Sequence, residues 1–303
     1  MMDLILKKLL LIAFCLSVSV CFTDRIDIFK LVENGTPAQL ESARKGGANF
    51  NVERDISDFE NDIEMDDDYW PFDTGETPLH RAAHYNHNPE SIKFLIEQGI
   101  DINATADVGN SASITPLACA LWAKNIEAVK ELLKNGADPN AWIAGGYNFV
   151  GTSFHIVAFD YDNNISIARE VINELVKAGG NINSHEKISA EDLKSLKENE
   201  PEFARNNTIF LPRDKWTSDE PFHNMTDFFS HYALGNFLTT FTPLMWAVIY
   251  DKPDIVDIFL DFNADVNIRS VENKSAVEYA DDLPANSKIK KSSVFKRLME
   301  NFI

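Results

Sequence analysis

Three histidines, His80, His84 and His87, are spaced i, i+4 and i+7. On a helix that spacing puts three imidazoles on one face, an arrangement that suits a zinc ion. Asp62, Glu64, Asp66 and Asp68 alternate as oxygen ligands for calcium do, but the glycine of a tight calcium loop is missing. Cys119 lies in the apolar run Leu117-Ala118-Cys119-Ala120-Leu121, which suits a small core residue better than a nucleophile. His185, His223 and His231 have no matching cysteine or carboxylate spacing, and no H-E-x-x-H, Gly-rich phosphate loop, G-x-S-x-G or C-x-x-C is present. Catalysis, a metal and a cofactor are therefore not expected.

Composition narrows the partners. The 303 residues carry 28 basic and 47 acidic side chains, a formal charge of −19, and 45% are apolar. The apolar share is that of a folded chain, and the charge excludes nucleic acid, which needs clustered Lys and Arg. Lys7 and Lys8 precede the 12-residue apolar run Leu9 to Val20. That run suits the core of an export signal and is too short for a bilayer of roughly 30 Å at about 1.5 Å per residue. Residues 1–23 are read as a signal peptide, leaving no membrane span and a periplasmic or secreted chain. The alternatives are a buried N-terminal helix and a lipoprotein acylated at Cys21. After cleavage only Cys119 remains, so packing alone holds the fold.

The chain repeats itself. Thr77-Pro78-Leu79-His80, Thr115-Pro116-Leu117-Ala118, Thr152-Ser153-Phe154-His155 and Thr242-Pro243-Leu244-Met245 each open a block. The blocks close on Gly99-Ile100-Asp101-Ile102-Asn103, Gly136-Ala137-Asp138-Pro139-Asn140, Gly179-Gly180-Asn181-Ile182-Asn183 and Asn263-Ala264-Asp265-Val266-Asn267, giving lengths of 27, 26, 32 and 26 residues. These residues resemble the ankyrin repeat, whose T-P-L-H-x-A opening recurs about every 33 residues. The resemblance implies paired antiparallel helices per unit and a protein-binding role. It also absorbs His80 and His87, which fall at family positions where histidine bonds neighbouring backbone, leaving only His84 unexplained.

Local physics agrees. Thr caps a helix and Pro sits in its first turn, where its missing N–H costs nothing. Small residues such as Ala82 and Ala83 let first helices pack closely, and the second helix carries an aliphatic face, as in Val129, Leu132 and Leu133. A glycine ends it in a left-handed conformation, with Asn263 as the next-best substitute in the fifth unit. A degenerate first unit uses Ile26, Ile28, Phe29 and Val32, and the last turns Val294, Phe295, Leu298 and Phe302 inward. No unit buries its apolar face alone, so stacking makes the core. The expected organisation of 24–303 is units at about 24–51, 77–103, 115–140, 152–183, 242–267 and 275–303, with insertions at 52–76 and 184–241.

Function is expected where the units differ. The first connecting finger, Val52–Glu76, has eleven acids against Arg54 alone, a net of −10. A solvated loop, a docking surface for a basic protein and a divalent-cation site compete for it. Tyr69, Trp70, Pro71 and Phe72 add apolar bulk that favours docking. In the third finger, Gly145-Gly146 signals a hairpin that presents Trp142, Tyr147 and Phe149, side-chain types that dominate interface energies. The eighth place of each block, facing the groove of the stack, holds His84, Trp122, Phe159 and Ile249, with Tyr85 and Tyr250 following. The 58-residue excursion 184–241 is rich in Phe and Trp, fitting a lid on the stack or a subdomain of its own. Lys288, Lys290, Lys291, Lys296 and Arg297 form a basic end on the last outer helix. Six Asn-x-Ser/Thr sequons have no assigned role.

The sequence thus predicts an all-α, ankyrin-repeat solenoid of about six helix-turn-helix units with hairpin-like fingers and two large insertions. It would be exported, monomeric and non-catalytic, and would bind a protein partner. Trp142, Tyr147, Phe149, Tyr85, Trp122, Phe159, Tyr250, Asp66, Asp67 and Asp68 are the candidate contacts. Two other readings stand: a ligand-binding protein or enzyme acting through 184–241, and an envelope-anchored scaffold or lipoprotein.

Overall fold

Threonine and proline start most of the helices. In the computed structural model, which describes residues 27–54, 74–107, 113–145, 149–185, 240–270 and 272–302, three first helices open on Thr-Pro: α3 (Pro78–Tyr85), α5 (Pro116–Trp122) and α9 (Pro243–Ile249). The Thr115 and Thr242 hydroxyls accept the third backbone N–H of their helices at 3.2 Å each. The other first helices are α1 (Ile28–Asn34), α7 (Ser153–Asp160) and α11 (Ala276–Asp282). Each is followed by a second helix: α2 (Pro37–Lys45), α4 (Pro89–Glu97), α6 (Ile126–Lys134), α8 (Ile165–Lys177) and α10 (Pro253–Asp261). After α11 come a four-residue helix α12 (Lys288–Lys291) and α13 (Ser293–Glu300).

The repeated positions of the sequence are the repeated positions of the core. Leu79, Leu117, Phe154 and Leu244, each third in its block, are buried, as are Ala82, Ala83, Ala120, Ala158 and Ala247. From the second helices, Ile92, Leu95, Val129, Leu132, Val171, Ile172, Ile255 and Phe259 join the same apolar cluster. First helices pack on first helices and second on second, so the cluster runs unbroken along the stack. Truncating one of the central leucines to alanine costs about 2–5 kcal/mol. The second helices end as anticipated: Gly99, Gly136 and Gly179 have φ of 86°, 94° and 85°, and Asn263 takes the same role at 58°.

Two ladders of polar contacts tie neighbours together. His80 accepts the Thr77 N–H at Nδ1 (3.1 Å), so its proton sits on Nε2 and is donated to the Ile114 carbonyl at 3.0 Å. His155 does the same with the Thr152 N–H (3.0 Å) and the Phe241 carbonyl (2.9 Å). After the second helices, the Oδ1 atoms of Asn103, Asn140 and Asn183 accept the N–H of Asp138, Asn181 and Asp265 at 2.9, 2.7 and 2.9 Å. Both ladders cross the long excursion, for α7 packs on α9 and α8 on α10.

Three expectations are corrected. His87 is exposed, and Asn86 makes the backbone bonds instead, donating to the Val32 and Gly35 carbonyls at 2.9 and 3.0 Å. Phe302 does not turn inward: α13 ends at Glu300 and Phe302 is 36% exposed, although Val294 and Leu298 are buried. Lys288, Lys290 and Lys291 belong to α12, apart from the last outer helix, because Asp251 accepts the backbone N–H groups of Lys288 and Ile289 at 2.9 Å each and starts a separate turn. Among the described residues no helix is long and apolar enough to cross a membrane. The expected signal segment 1–23 lies outside the described residues.

Candidate protein-binding face

The third finger is the one regular hairpin among the described residues. Strands β1 (Ile143–Gly145) and β2 (Phe149–Gly151) pair antiparallel with Ile143 opposite Gly151 and Gly145 opposite Phe149. Gly151 is required by contact: a Cβ there would lie 2.6 Å from the His155 side chain. The hairpin root is thereby pressed against α7. Trp142, the residue before β1, sits 36% exposed with its ring 6.0 Å from that of His155.

From Trp142 an aromatic series runs across α7 and α9. The His155 ring is 5.5 Å from Trp246 at 76°, and Phe159 is 6.3 Å from Trp246 and 5.4 Å from Tyr250, both near perpendicular. Trp246 and Tyr250 are 5.8 Å apart. These edge-to-face separations lie in the favourable range for aromatic pairs. The structure so unites Trp142, Phe159 and Tyr250 from the expected contacts. Tyr85 belongs to another group, with its ring 4.4 Å from His84 and Arg81 above it at 5.7 Å. Trp122, half-buried on α5, lies between the two groups in the order of the stack. Tyr147 and Asp66, Asp67 and Asp68 lie outside the described residues, as do the alternating acids read as calcium ligands and nearly all of the long excursion. Of Phe149 the structure describes the backbone pairing.

Sequence reasoning missed Trp246, Lys252 and Tyr161. Trp246 takes the fifth place of its block, where the others carry Arg81, Cys119 and Ile156, and that contrast was available as a signal. Lys252 stands ten residues after its helix-starting threonine, as Asn125 does. Asn125 donates to the Ala83 and Asn86 carbonyls at 3.0 and 2.9 Å, closing the end of α3. Lys252 closes α7 in the same way, donating to the Phe159 carbonyl and pairing with Asp162 at 3.2 Å. Its Nζ also stands 5.6 Å from the Phe159 ring centre and 5.7 Å from that of Tyr250. Burial lowers the Lys252 pKa, and Asp162 partly offsets that. Tyr161 closes α5, its hydroxyl donating to the Leu121 carbonyl at 2.5 Å, and burial pushes its pKa up.

Charges on this side are matched internally. At the root of the first finger, Arg54 and Glu76 exchange backbone hydrogen bonds of 2.9 and 3.2 Å and pair through their side chains at 2.7 Å, nearly out of water. Arg54 also lies 4.0 Å over the Phe29 ring, and Arg81 reaches Glu76 at 3.4 Å and Glu33 at 3.6 Å. Lys30 pairs with Glu33 at 2.8 Å and Lys124 with Asp160 at 2.5 Å. In the last finger, Arg269 pairs with Glu278 at 3.0 Å and Lys274 with Asp282 at 2.7 Å. Thr74 and Asp107 bridge the first finger to the second, the Asp107 N–H donating to the Thr74 carbonyl at 2.9 Å.

Among the described residues, the thiol and the histidines singled out in the sequence are held in structural contacts. Cys119 is buried and its thiol is pushed up in pKa, mainly by burial. Among the described residues no three His, Cys, Asp or Glu side chains converge as a metal site. His80, His84 and His87 part company: the first is spent on Thr77 and Ile114, the second on Tyr85, and the third points to solvent.

Comparison with known families agrees with the repeat geometry. A family model described as ankyrin repeats (three copies) matches residues 40–141, and another described as ankyrin repeats (many copies) matches residues 232–280. Proteins built from these repeats generally serve as protein–protein interaction modules and are typically non-catalytic. With its capped helix pairs, left-handed stops and histidine rungs, this chain belongs to the ankyrin-repeat family.

Proposed function

We propose that the protein is an exported, monomeric and non-catalytic adaptor that binds a protein partner across its first helices and fingers. The carrying observation is the aromatic series from Trp142 to Tyr250, set at the root of the hairpin. Large, partly exposed aromatic side chains held rigid by their neighbours lose little entropy on binding and supply most of an interface's energy. Tyr85 and Trp122 belong to the same reading, and the sequence adds Tyr147, Phe149, Asp66, Asp67 and Asp68 as further contacts. Export rests on the Lys7-Lys8 pair and the apolar run behind it.

Capture from an extract of the native organism, with the mature chain as bait, tests the binding face. Replacing Trp142, Tyr147 and Phe149 together by alanine is expected to abolish capture of the partner and leave thermal unfolding unchanged. Capture that survives the replacement sinks this face. Mass spectrometry of the mature N-terminus tests export, with an unmodified terminus near Phe22 to Asp24 as the expected result.

A further inference from the structure

We propose that the outer flank of α13 is a second docking surface, one that takes an acidic amphipathic helix of a partner protein. The occupant lies against α13 as each second helix of the stack lies against the one before it. The packing of that row, an apolar stripe and a local charge support this.

Second helices form a row: α2 packs on α4, α4 on α6, α6 on α8, α8 on α10 and α10 on α13. A helix inside the row is covered on both sides, and α10 accordingly buries Ile255, Val256, Ile258, Phe259 and Leu260. By contrast, α13 packs on α10, α11 and α12 and buries two residues, Val294 and Leu298. Arg297 marks the side that is taken, reaching Asp257 and Asp261 of α10 at 2.5 and 2.7 Å. Phe295 and Met299 each stand two residues from Arg297, about 160° away on a helix of about 3.6 residues per turn. They lie on the flank turned from α10, where a further member of the row would pack.

That flank is apolar. Phe295 is half-buried, Met299 is 47% exposed, and Phe302, in the turn after the helix, is 36% exposed. Two of the four large apolar side chains exposed among the described residues thus share one stripe. The outer face of a repeat stack is ordinarily polar at its ends, because water must wet it. At the other end of the row α2 obeys that rule, exposing Gln39 and Ser42.

The surrounding charge selects the occupant. Lys296 is three residues from Met299, about 60° round the helix, and its pair with Glu300 at 3.4 Å lies open to water. Lys291, exposed at the end of α12, has no carboxylate within 4 Å among the described residues. From Pro284 to Phe302 five basic side chains face one acid, a net of +4. Opposite charges already join members of the row, Lys130 to Glu170 at 2.6 Å and Arg169 to Asp261 at 2.7 Å. A helix that continues it past α13 therefore needs acids opposite Lys291 and Lys296, with apolar side chains opposite the stripe. A second copy fits poorly, since its α13 would set lysines against lysines and its α2 exposes polar side chains. An anionic membrane repels the chain as a whole, whose formal charge is −19.

Fluorescence anisotropy with the full chain and three labelled short helical peptides tests this. One has a leucine stripe flanked by Glu, one the same stripe flanked by Lys, and one the Glu flanks with Ser for Leu. The Glu–Leu peptide is expected to bind at least about tenfold more tightly than the other two. Met299→Ser with Phe302→Ser, both at exposed positions, is expected to weaken it about tenfold and leave thermal unfolding unchanged. Lys291→Gln with Lys296→Gln is expected to weaken it about threefold and to flatten its salt dependence. Trp142→Ala is expected to leave it unaltered. The proposal is overturned if the Glu–Leu peptide fails to bind, or if the Lys–Leu peptide binds as well. A loss from Trp142→Ala as large as that from the Met299 and Phe302 pair overturns it too. Sedimentation of the chain with phosphatidylglycerol vesicles, abolished by that pair of changes, would assign the stripe to a membrane instead. A dimer in analytical ultracentrifugation that the same pair dissolves would assign it to a second copy, and either result sinks the partner helix.

Discussion

His155 on α7 donates a hydrogen bond to the carbonyl of Phe241, 86 residues further on, at 2.9 Å. His80 makes the same bond to Ile114, 34 residues on, at 3.0 Å. The two rungs are alike although one spans an ordinary finger and the other the long excursion. The stack is therefore continuous from α7 to α9, although 86 residues of sequence separate the bonded pair.

These two histidines give the fold a pH dependence of definite sign. Burial holds both imidazoles neutral, with pKa values pushed down to about 4, against about 6.5 in an unfolded chain. As pH falls the unfolded chain takes up protons first. The stability due to neutral imidazoles is full above about pH 6.5 and lost as pH falls toward about 4, at up to ~1.4 kcal/mol per pH unit per histidine. Urea midpoints of the wild type and of the His80→Gln/His155→Gln variant, measured across that window, should converge as pH drops. A gap that stays constant with pH would falsify the assignment.

Arg54→Ala leaves the Glu76 carboxylate buried without its closest partner, and Arg81 reaches it only at 3.4 Å. Breaking a buried pair from one side costs about 3–5 kcal/mol. Hydrogen exchange should show the loss concentrated at residues 52–54 and 74–77 and in α1 and α3. Uniform destabilisation along the stack would contradict the view of Arg54 and Glu76 as the clasp of the first finger.

Lys252→Met should cost about 1–2 kcal/mol, because it strips the Phe159 carbonyl and Asp162 of their donor. Lys252→Asn should recover part of that, since Asn125, at the same place in its own block, bonds the Ala83 and Asn86 carbonyls at the end of α3. Denaturant titration of the three proteins checks the order. A Met variant as stable as wild type would remove Lys252 from the structural account.

Cys119 should resist thiol reagents in the native protein and react at once in urea, because its thiol is buried and disfavoured as a thiolate. Peptide mapping after pulse labelling at pH 8 reads the protection. Rapid native labelling would mean that α5 opens well below the global unfolding free energy.

Much of this was legible in the primary structure because each unit obeys local rules. Thr-Pro starts, buried leucines at the third place, and glycine or Asn263 at the stop need only neighbouring residues to be recognised. What was hidden depends on pairing across units. Arg54 and Glu76 were counted as surface charges of an acidic finger, yet they satisfy each other at its root. Lys252 gives no local signal, because its partners Phe159 and Asp162 lie 93 and 90 residues back. His87 was misread since the family position suggested a role that Asn86, one residue earlier, performs. Phe302 has helical spacing from Leu298, but α13 has already ended. The aromatic face was half legible: Phe159 and Tyr250 announced themselves by position, and Trp246, which joins them to Trp142, did not.

The asparagine rungs have a mechanical consequence. Asn183 and Asp265 are joined directly at 2.9 Å, as Asn103 and Asp138 are. Tension applied between the two ends of the molecule would pass across that rung and leave the excursion out of the load path. A pulled molecule should therefore yield unit by unit in small, similar steps, with one step larger than the rest when the rung at Asn183 parts, because 82 residues of sequence separate its two partners.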